Sequence, residues 1–171
     1  MLICFVAIGL YGDASNGFQK SRFSEQEIKV YATASSSPRR SDCHFQKTEN
    51  SLKRAPCRYF SENTKAAVFG NSHATELAYS LAQVLQKRDI GVWHHTMSGC
   101  IHNYKVEDEL ETICQRWHQK VVNDLASDIS VEYVVLSYRN EWALETAKYR
   151  NSLIEMSNDL LSAGKKVILV L

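Results

Sequence analysis

The chain has 171 residues and a formal net charge of +1 at pH 7, which fits one domain with a tail. It lacks the basic excess that phosphate contacts require, so a nucleic-acid partner is not expected. Charged residues make up 23% and hydrophobic residues 44% of the sequence, as in an ordinary globular protein with a hydrophobic core.

The first twelve residues, MLICFVAIGLYG, form an apolar run. This run is too short to span a bilayer, which takes about 20 residues. An export signal is one interpretation, although no Lys or Arg precedes the run to make a positive start. A buried N-terminal strand is another. The next segment, 13–42, is polar and is predicted to be a linker, most plainly in the Ser-rich stretch 34–40.

Five cysteines follow a simple pattern. Cys4 lies in the apolar run, where a free thiol behaves as a small hydrophobe. Cys43 and Cys57 are as far apart along the chain as Cys100 and Cys114. Neither pair has the Cys-x-x-Cys spacing of a structural zinc site or a thioredoxin-like motif. Two local disulfides, each closing a loop of about 15 residues, fit better; reduced cysteines in a cytosolic protein are the alternative.

The most informative stretch begins at residue 66. Small, β-branched and aromatic residues over 66–69 predict a short buried strand, and the apolar stripe in 74–88 predicts a helix. Ser72 lies between them, at the C-terminal end of a strand, where open α/β sheets bind ligands. The helix N-terminus behind it favours a developing negative charge. Ser72 is therefore a candidate nucleophile, although Asn71 and Ser72 are also good helix caps, which is the commoner role.

Three further strands and two further helices are predicted in the rest of the chain. The strands are 89–95, 131–137 and 167–171, and the helices are 109–125 and 145–162. The adjacent His94 and His95 must point to opposite faces of their strand, so they cannot jointly bind a metal. We predict surface or half-buried packing for both, and His118 is expected to face solvent. The sequence predicts neither a metal site nor a cofactor.

Two loops follow predicted strands at the same edge as Ser72, provided that the strands are parallel. The first holds Gly99, whose flexible backbone lets a substrate approach and whose N–H could stabilise an oxyanion; a plain loop glycine is the alternative. The second holds Arg139 and Asn140, after the strand 131–137.

The stretch Gly70-Asn71-Ser72-His73-Ala74 resembles the Gly-Asp-Ser-His-Ala opening block of SGNH hydrolase-like domains. More closely, it is similar to the domain that is fused to membrane acyltransferases of the acyltransferase-3 family. Ser98-Gly99-Cys100, Cys114 and the stretch 134–139 agree with this resemblance, which covers roughly residues 43–171. Asn71 replaces the usual aspartate; it could keep a turn hydrogen bond but not the charge.

The resemblance implies a three-layer α/β sandwich with a parallel sheet, of the SGNH/flavodoxin-like kind. It implies disulfides between Cys43 and Cys57 and between Cys100 and Cys114. It also implies a catalytic Ser72, with Gly99 and Asn140 as oxyanion donors; Arg139 could instead be the substrate contact. We expect all three catalytic residues to converge at one sheet edge.

The resemblance further suggests where the protein is located and what it works with. Residues 1–12 would be the end of a membrane helix, 13–42 a linker and 43–171 a partial SGNH-like domain. A membrane acyltransferase region would lie upstream, and the domain would be extracytoplasmic, in the periplasm or outside the cell. The substrate would be a carbohydrate or an acyl ester.

A serine nucleophile needs a base, usually a histidine that a carboxylate holds in place. In SGNH-like domains the resemblance places both in an Asp-x-x-His block near the C-terminus, but these 171 residues contain no such block. The chain also ends inside a predicted strand, so we expect a domain truncated at its C-terminus. His73 and His102 are poor substitutes.

Two functions are therefore considered. The first is a fragment of a membrane-linked O-acyltransferase that handles acyl groups on carbohydrate through a serine nucleophile, with little or no activity by itself. The second is a non-catalytic, disulfide-stapled extracytoplasmic binding module or a vestigial gene fragment.

Overall fold

The computed structural model describes residues 2–32, 35–101, 103–105, 112–139 and 146–170. The chain forms two compact units, the first ending at Ser36 and the second starting at Ser37. The first unit consists of helices α1 (Leu2–Ala14), α2 (Gln19–Arg22) and α3 (Glu25–Ala32). The interpretation of the apolar run as a buried strand is wrong, because the run is helical and its large side chains are exposed. None of the described helices is long and apolar enough to cross a membrane.

The second unit alternates strands and helices. Its elements are α4 (Arg40–Cys43), β1 (His44–Phe45), α5 (Glu49–Leu52), β2 (Cys57–Tyr59), β3 (Thr64–Gly70), α6 (Ala74–Gln86), β4 (Gly91–Met97), α7 (Ile113–Ser127), β5 (Tyr133–Ser137), α8 (Ala147–Ser162) and β6 (Lys166–Val170). Helix α7 begins at Ile113 because Thr112 caps it in a reciprocal capping box with Gln115. The predicted start at residue 109 lies outside the described residues.

The strands form one sheet in the order β1-β4-β3-β5-β6, and all of these neighbours are parallel. The short strand β2 is antiparallel to β4. The predicted α/β fold with a parallel sheet is confirmed, and β3, β4, β5 and β6 correspond to the four predicted strands. The short strands β1 and β2 were not predicted.

Helices cover both faces of the sheet and make the predicted three layers. Helix α6 packs on one face, where the core combines the large ring of Tyr59 with small residues: Ala66, Val68, Ala74, Ala78, Ala82, Val92 and Val135. Helices α7 and α8 pack on the other face, where the core is built from large side chains: Phe45, Phe69, Met97, Trp117, Leu125, Leu136, Tyr138, Met156 and Leu160.

Both disulfides implied by the family resemblance are present, Cys43–Cys57 and Cys100–Cys114. The first lies in the core under α6 and joins the end of α4 to the start of β2. The second lies in the core under α7 and α8. Each face of the sheet is therefore fastened by its own covalent bond.

Candidate active site at the carboxyl edge of the sheet

The register of the strands brings several predicted site residues to one edge. Gly70, the last residue of β3, is level with Thr96 of β4 and with Ser137 of β5. Because these strands are parallel, the segments that follow them leave from the same edge. Ser72 and Gly99 therefore share this edge, as does Arg139, which is exposed just after β5. Asn140 lies outside the described residues.

Gly70 allows the strand-to-helix turn to pack closely against β5. A Cβ atom at this position would lie 1.8 Å from the carbonyl oxygen of Ser137 and 2.9 Å from Cβ of Ala74. Any side chain here would push β3 away from β5 or displace the start of α6. The glycine therefore fixes where the Ser72 turn can lie.

The turn itself is held by Asn71 rather than by the serine. The Oδ1 atom of Asn71 accepts a hydrogen bond of 3.0 Å from the backbone N–H of His73, which is the turn hydrogen bond expected of a residue that replaces aspartate. The N-cap of α6 is His73, without a side-chain cap. The interpretation of Ser72 as a helix cap is therefore wrong. Its half-buried hydroxyl makes no hydrogen bond to another described residue.

Gly99 lies in the loop that follows β4 and has a positive φ of 65°. This conformation favours glycine, since other residues pay a steric cost there. Apart from its two chain neighbours, no described residue has an atom within 4 Å of the place that a Cβ would occupy, so the backbone is open to that part of the structure. The neighbouring Cys100 ties the loop to α7, and the N–H of Ser98 donates a 2.8 Å hydrogen bond to the carbonyl oxygen of Phe45.

The aromatic side chains below this edge are packed tightly. Tyr138 follows β5 and is buried, and its ring packs 6.1 Å from that of Phe69 and 5.8 Å from that of His118. Burial raises the pKa of the Tyr138 hydroxyl well above its usual value, so this residue stays neutral at physiological pH.

His118 is completely buried, and the prediction that it faces solvent is wrong. Its Nδ1 atom lies 2.9 Å from Oδ1 of Asn103, whose Nδ2 donates a 3.1 Å hydrogen bond to Oγ1 of Thr112. The contact fixes the segment 103–105 against α7. Sequence periodicity could not show it, because Asn103 belongs to a loop.

A second group of polar residues was also missed, on the face of the sheet that α6 covers. His94 and Thr96 of β4 are completely buried, together with Thr75 of α6. His44 of β1 is nearly so, with 8% of its surface exposed. They form a hydrogen-bonded cluster that reaches the first turn of α6. His95, on the opposite face, is also buried, so surface or half-buried packing is wrong for both adjacent histidines.

Burial controls the charge of these histidines. Loss of solvation lowers the pKa of His94 to about 3, and the nearby His44 and His95 add to this effect. Burial likewise lowers the pKa of His95 to about 3. Both rings are therefore neutral at pH 7. Within the described residues, no group of three or more His, Cys, Asp or Glu side chains is placed to hold a metal ion.

Comparison with known proteins gives one match. A family model described as SGNH domain (fused to AT3 domains) matches residues 42–171, which is most of the chain and nearly all of the second unit. No curated protein and no solved structure matches the chain.

Proposed function

Because the chain belongs to the family of SGNH domains that are fused to AT3 domains, we propose that it handles acyl groups on carbohydrate, with Ser72 as the nucleophile. In this reaction Oγ of Ser72 attacks the carbonyl carbon of an ester while a base takes its proton. The tetrahedral intermediate expels the alcohol, which takes up a proton, and leaves an acyl-serine. A hydroxyl group or water then accepts the acyl group and releases the serine.

The position of Ser72 is the observation that carries this proposal. It follows β3 at the carboxyl edge of the sheet, immediately before α6, and its hydroxyl is not used to cap the helix. The backbone N–H groups at the start of a helix favour negative charge. A nucleophile in such a turn would form its oxyanion where the helix can stabilise it.

The remaining roles are assigned by position at the same edge. The N–H of Gly99 would donate to the oxyanion, because this loop is open on the side of the missing Cβ. Asn140 lies outside the described residues, and its role as the second donor rests on the family resemblance alone. Arg139, which is exposed after β5, would contact the substrate.

The base is the missing part of this mechanism. These 171 residues contain no Asp-x-x-His block, so we expect near-background turnover from the chain by itself. Removing triad members from such enzymes typically leaves about 10³ to 10⁴ of rate enhancement over water. A membrane acyltransferase region would lie upstream, and the base would come from a part of the protein outside these residues.

The two disulfides bear on where this reaction takes place. Disulfides persist in oxidising compartments and are rare in the cytosol, and this chain has one on each face of its sheet. We therefore assign the second unit to the extracytoplasmic side of a membrane.

The test supplies the missing base from solution. The purified chain and its Ser72→Ala variant are given 4-methylumbelliferyl acetate with and without imidazole, and turnover by imidazole alone is subtracted. We expect similar low rates without imidazole and a faster rate for the unaltered chain with it, together with an acetyl group on Ser72 in peptide mapping. Equal rates for the two proteins under both conditions, with no acetyl-Ser72, would reject the proposal.

The absence of an Asp-x-x-His block favours one alternative, a non-catalytic binding module. In that case Ser72 would have no chemical role, and the carboxyl edge of the sheet would bind a glycan without reaction. Glycan binding that is unchanged in Ser72→Ala, together with no acetylation, would support this alternative.

A further inference from the structure

The buried polar cluster under α6 forms a continuous chain of hydrogen bonds. The hydroxyl of Tyr59 lies 3.0 Å from Nδ1 of His94, and Nε2 of His94 lies 2.6 Å from Oγ1 of Thr96. Oγ1 of Thr96 lies 2.9 Å from Nδ1 of His44. The hydroxyl of Thr75 lies 3.1 Å from the same nitrogen and 3.5 Å from Oγ1 of Thr96.

The donors and acceptors of this chain favour one direction. Burial raises the pKa of the Tyr59 hydroxyl, which keeps its proton and can donate it to Nδ1 of His94. Because His94 is neutral, its proton is then on Nε2 and is donated to Thr96, whose hydroxyl in turn donates to Nδ1 of His44. Every polar hydrogen then has an acceptor. In the opposite direction the Tyr59 hydrogen would need a different acceptor, for which the nearby buried hydroxyl of Ser37 is the candidate.

This direction fixes the state of His44. Burial and the nearby Arg40 lower the pKa of His44, while Glu76 acts in the opposite sense. Arg40 and Glu76 also pair with each other, Nη1 to Oε1 at 2.6 Å, which weakens the effect of each. His44 is therefore neutral, with Nδ1 as an acceptor and its proton on Nε2.

The position of His44 relates it to the Ser72 edge. His44 is level with Thr96, and Thr96 is level with Gly70, so the three residues form one row across β1, β4 and β3. The His44 ring contacts Thr75, whose backbone N–H donates to the carbonyl oxygen of Ser72. Nε2 of His44 has no hydrogen bond to another described residue, and 8% of the surface of His44 is exposed.

We propose that His44 is a further ligand-contacting residue of this edge, a neutral donor whose Nε2–H binds the acyl carbonyl oxygen or the oxyanion formed from it. This inference rests on the proposed function. A neutral imidazole can donate to such an oxygen without giving up a proton. The cluster from Tyr59 to Thr96 would serve to keep this proton on the outward nitrogen.

The first experiment reads the protonation of His44 directly. Long-range ¹H–¹⁵N spectra of the chain with ¹⁵N-labelled histidines at pH 7 should show that Nε2 of His44 is protonated and that Nδ1 is not. Ethyl methylphosphonate, whose anionic tetrahedral group resembles the oxyanion, should then shift the Nε2 signal of His44 in a saturable way. The reverse tautomer, a charged ring, or an unshifted Nε2 signal would overturn the inference.

Two variants separate contact with a ligand from a purely structural role. In His44→Gln the amide nitrogen can replace Nε2, whereas in His44→Asn the amide can replace only Nδ1. We expect the phosphonate to bind about tenfold more weakly to His44→Asn and about as well to His44→Gln. If instead His44→Asn binds normally and His44→Gln is the weaker variant, His44 is structural and the inference is wrong.

Control variants separate this inference from the proposed function. His95→Gln removes a buried histidine from the opposite face and should bind the phosphonate as the unaltered chain does. Failure of Ser72 to become acetylated would reject the proposed function, whereas failure of the His44 signal to respond rejects only this inference.

Discussion

The two faces of the sheet are built differently, although they belong to the same strands. Under α7 and α8 the buried side chains are large, with Phe69, Trp117 and Leu136 at the centre. Under α6 most of the buried apolar side chains are small, and Tyr59 is the large exception. That face also buries the hydrogen-bonded cluster that ends at His44. One face thus supplies most of the apolar burial, and the other holds polar groups beside the Ser72 turn.

This difference shows how one element can serve two purposes. Successive residues of a strand point to opposite faces, so Val68 and Phe69 of β3 belong to different cores. The buried His94 and His95 of β4 are level with them and are likewise on opposite faces. A change at one of two adjacent positions therefore tests one face with little effect on the other.

The largest effect expected of a single substitution at pH 7 is on the face under α7 and α8. Phe69→Ala should lower the free energy of unfolding by about 3–5 kcal/mol, because Phe69 is completely buried and its ring packs against Trp117 and Tyr138. The matched variant Val68→Ala, on the other face, should cost about 2 kcal/mol, since it removes only two methyl groups. Urea unfolding at pH 7 measures both. Equal losses would show that the two cores contribute alike.

The next effect is a dependence of stability on pH. His94 and His95 have folded pKa values of about 3, whereas in the unfolded chain both titrate near 6.5. The folded state is thus favoured fully above pH 6.5, and stability is lost as the pH decreases from 6.5 towards 3. Each histidine should lower the free energy of unfolding by about 1.4 kcal/mol per pH unit in this range.

Single variants measure how much the buried histidine on each face contributes to the dependence of stability on pH. His94→Gln and His95→Gln should each reduce the slope of stability against pH by a similar amount between pH 6 and 4.5, and His44, whose pKa burial also lowers, should leave a smaller slope in the double variant. Asp128 and Asp159 do not interfere, because hydrogen bonds lower the pKa of both carboxyl groups and they titrate below this range. If the double variant keeps the full slope of the unaltered chain, groups other than His94 and His95 cause the pH dependence.

The smallest expected effect is at the Ser72 turn. Asn71→Asp should change the free energy of unfolding by less than about 1 kcal/mol, because an aspartate oxygen can still accept the hydrogen bond from the His73 N–H and its charge lies near the start of α6. Thermal unfolding of the two proteins at pH 7 provides the measurement, with Asn71→Ala as the control. If Asn71→Asp is as unstable as Asn71→Ala, the hydrogen bond is not what holds this turn.

The sequence was sufficient to predict the central strands and the main helices. Buried strands appear in it as apolar runs, and the buried sides of helices appear as apolar residues at helical spacing. It was insufficient for β1 and β2. These strands have two and three residues and are defined by pairing with β4, which is distant along the chain. No local sequence pattern predicts this pairing with β4.

The site was predictable to a similar extent. The strand-to-helix turn at Ser72 and the loop at Gly99 follow from patterns along the chain. The burial of His44 and His118 does not, because each ring is held by a residue from another part of the chain, Thr96 and Asn103 respectively. When a polar residue has polar neighbours in the sequence, no local pattern predicts that residues far along the chain will bury it and form its hydrogen bonds.

The local disulfides have a consequence for oxidative folding. Four cysteines can be joined in three ways, and the native way links each cysteine to a partner only 14 residues away. The entropic cost of closing a loop increases with its length, so the native pairs meet more often in the unfolded chain than Cys43 and Cys114 do. The correct partners are thus favoured before the sheet exists, and assembly of the sheet then brings together two segments whose ends are already joined.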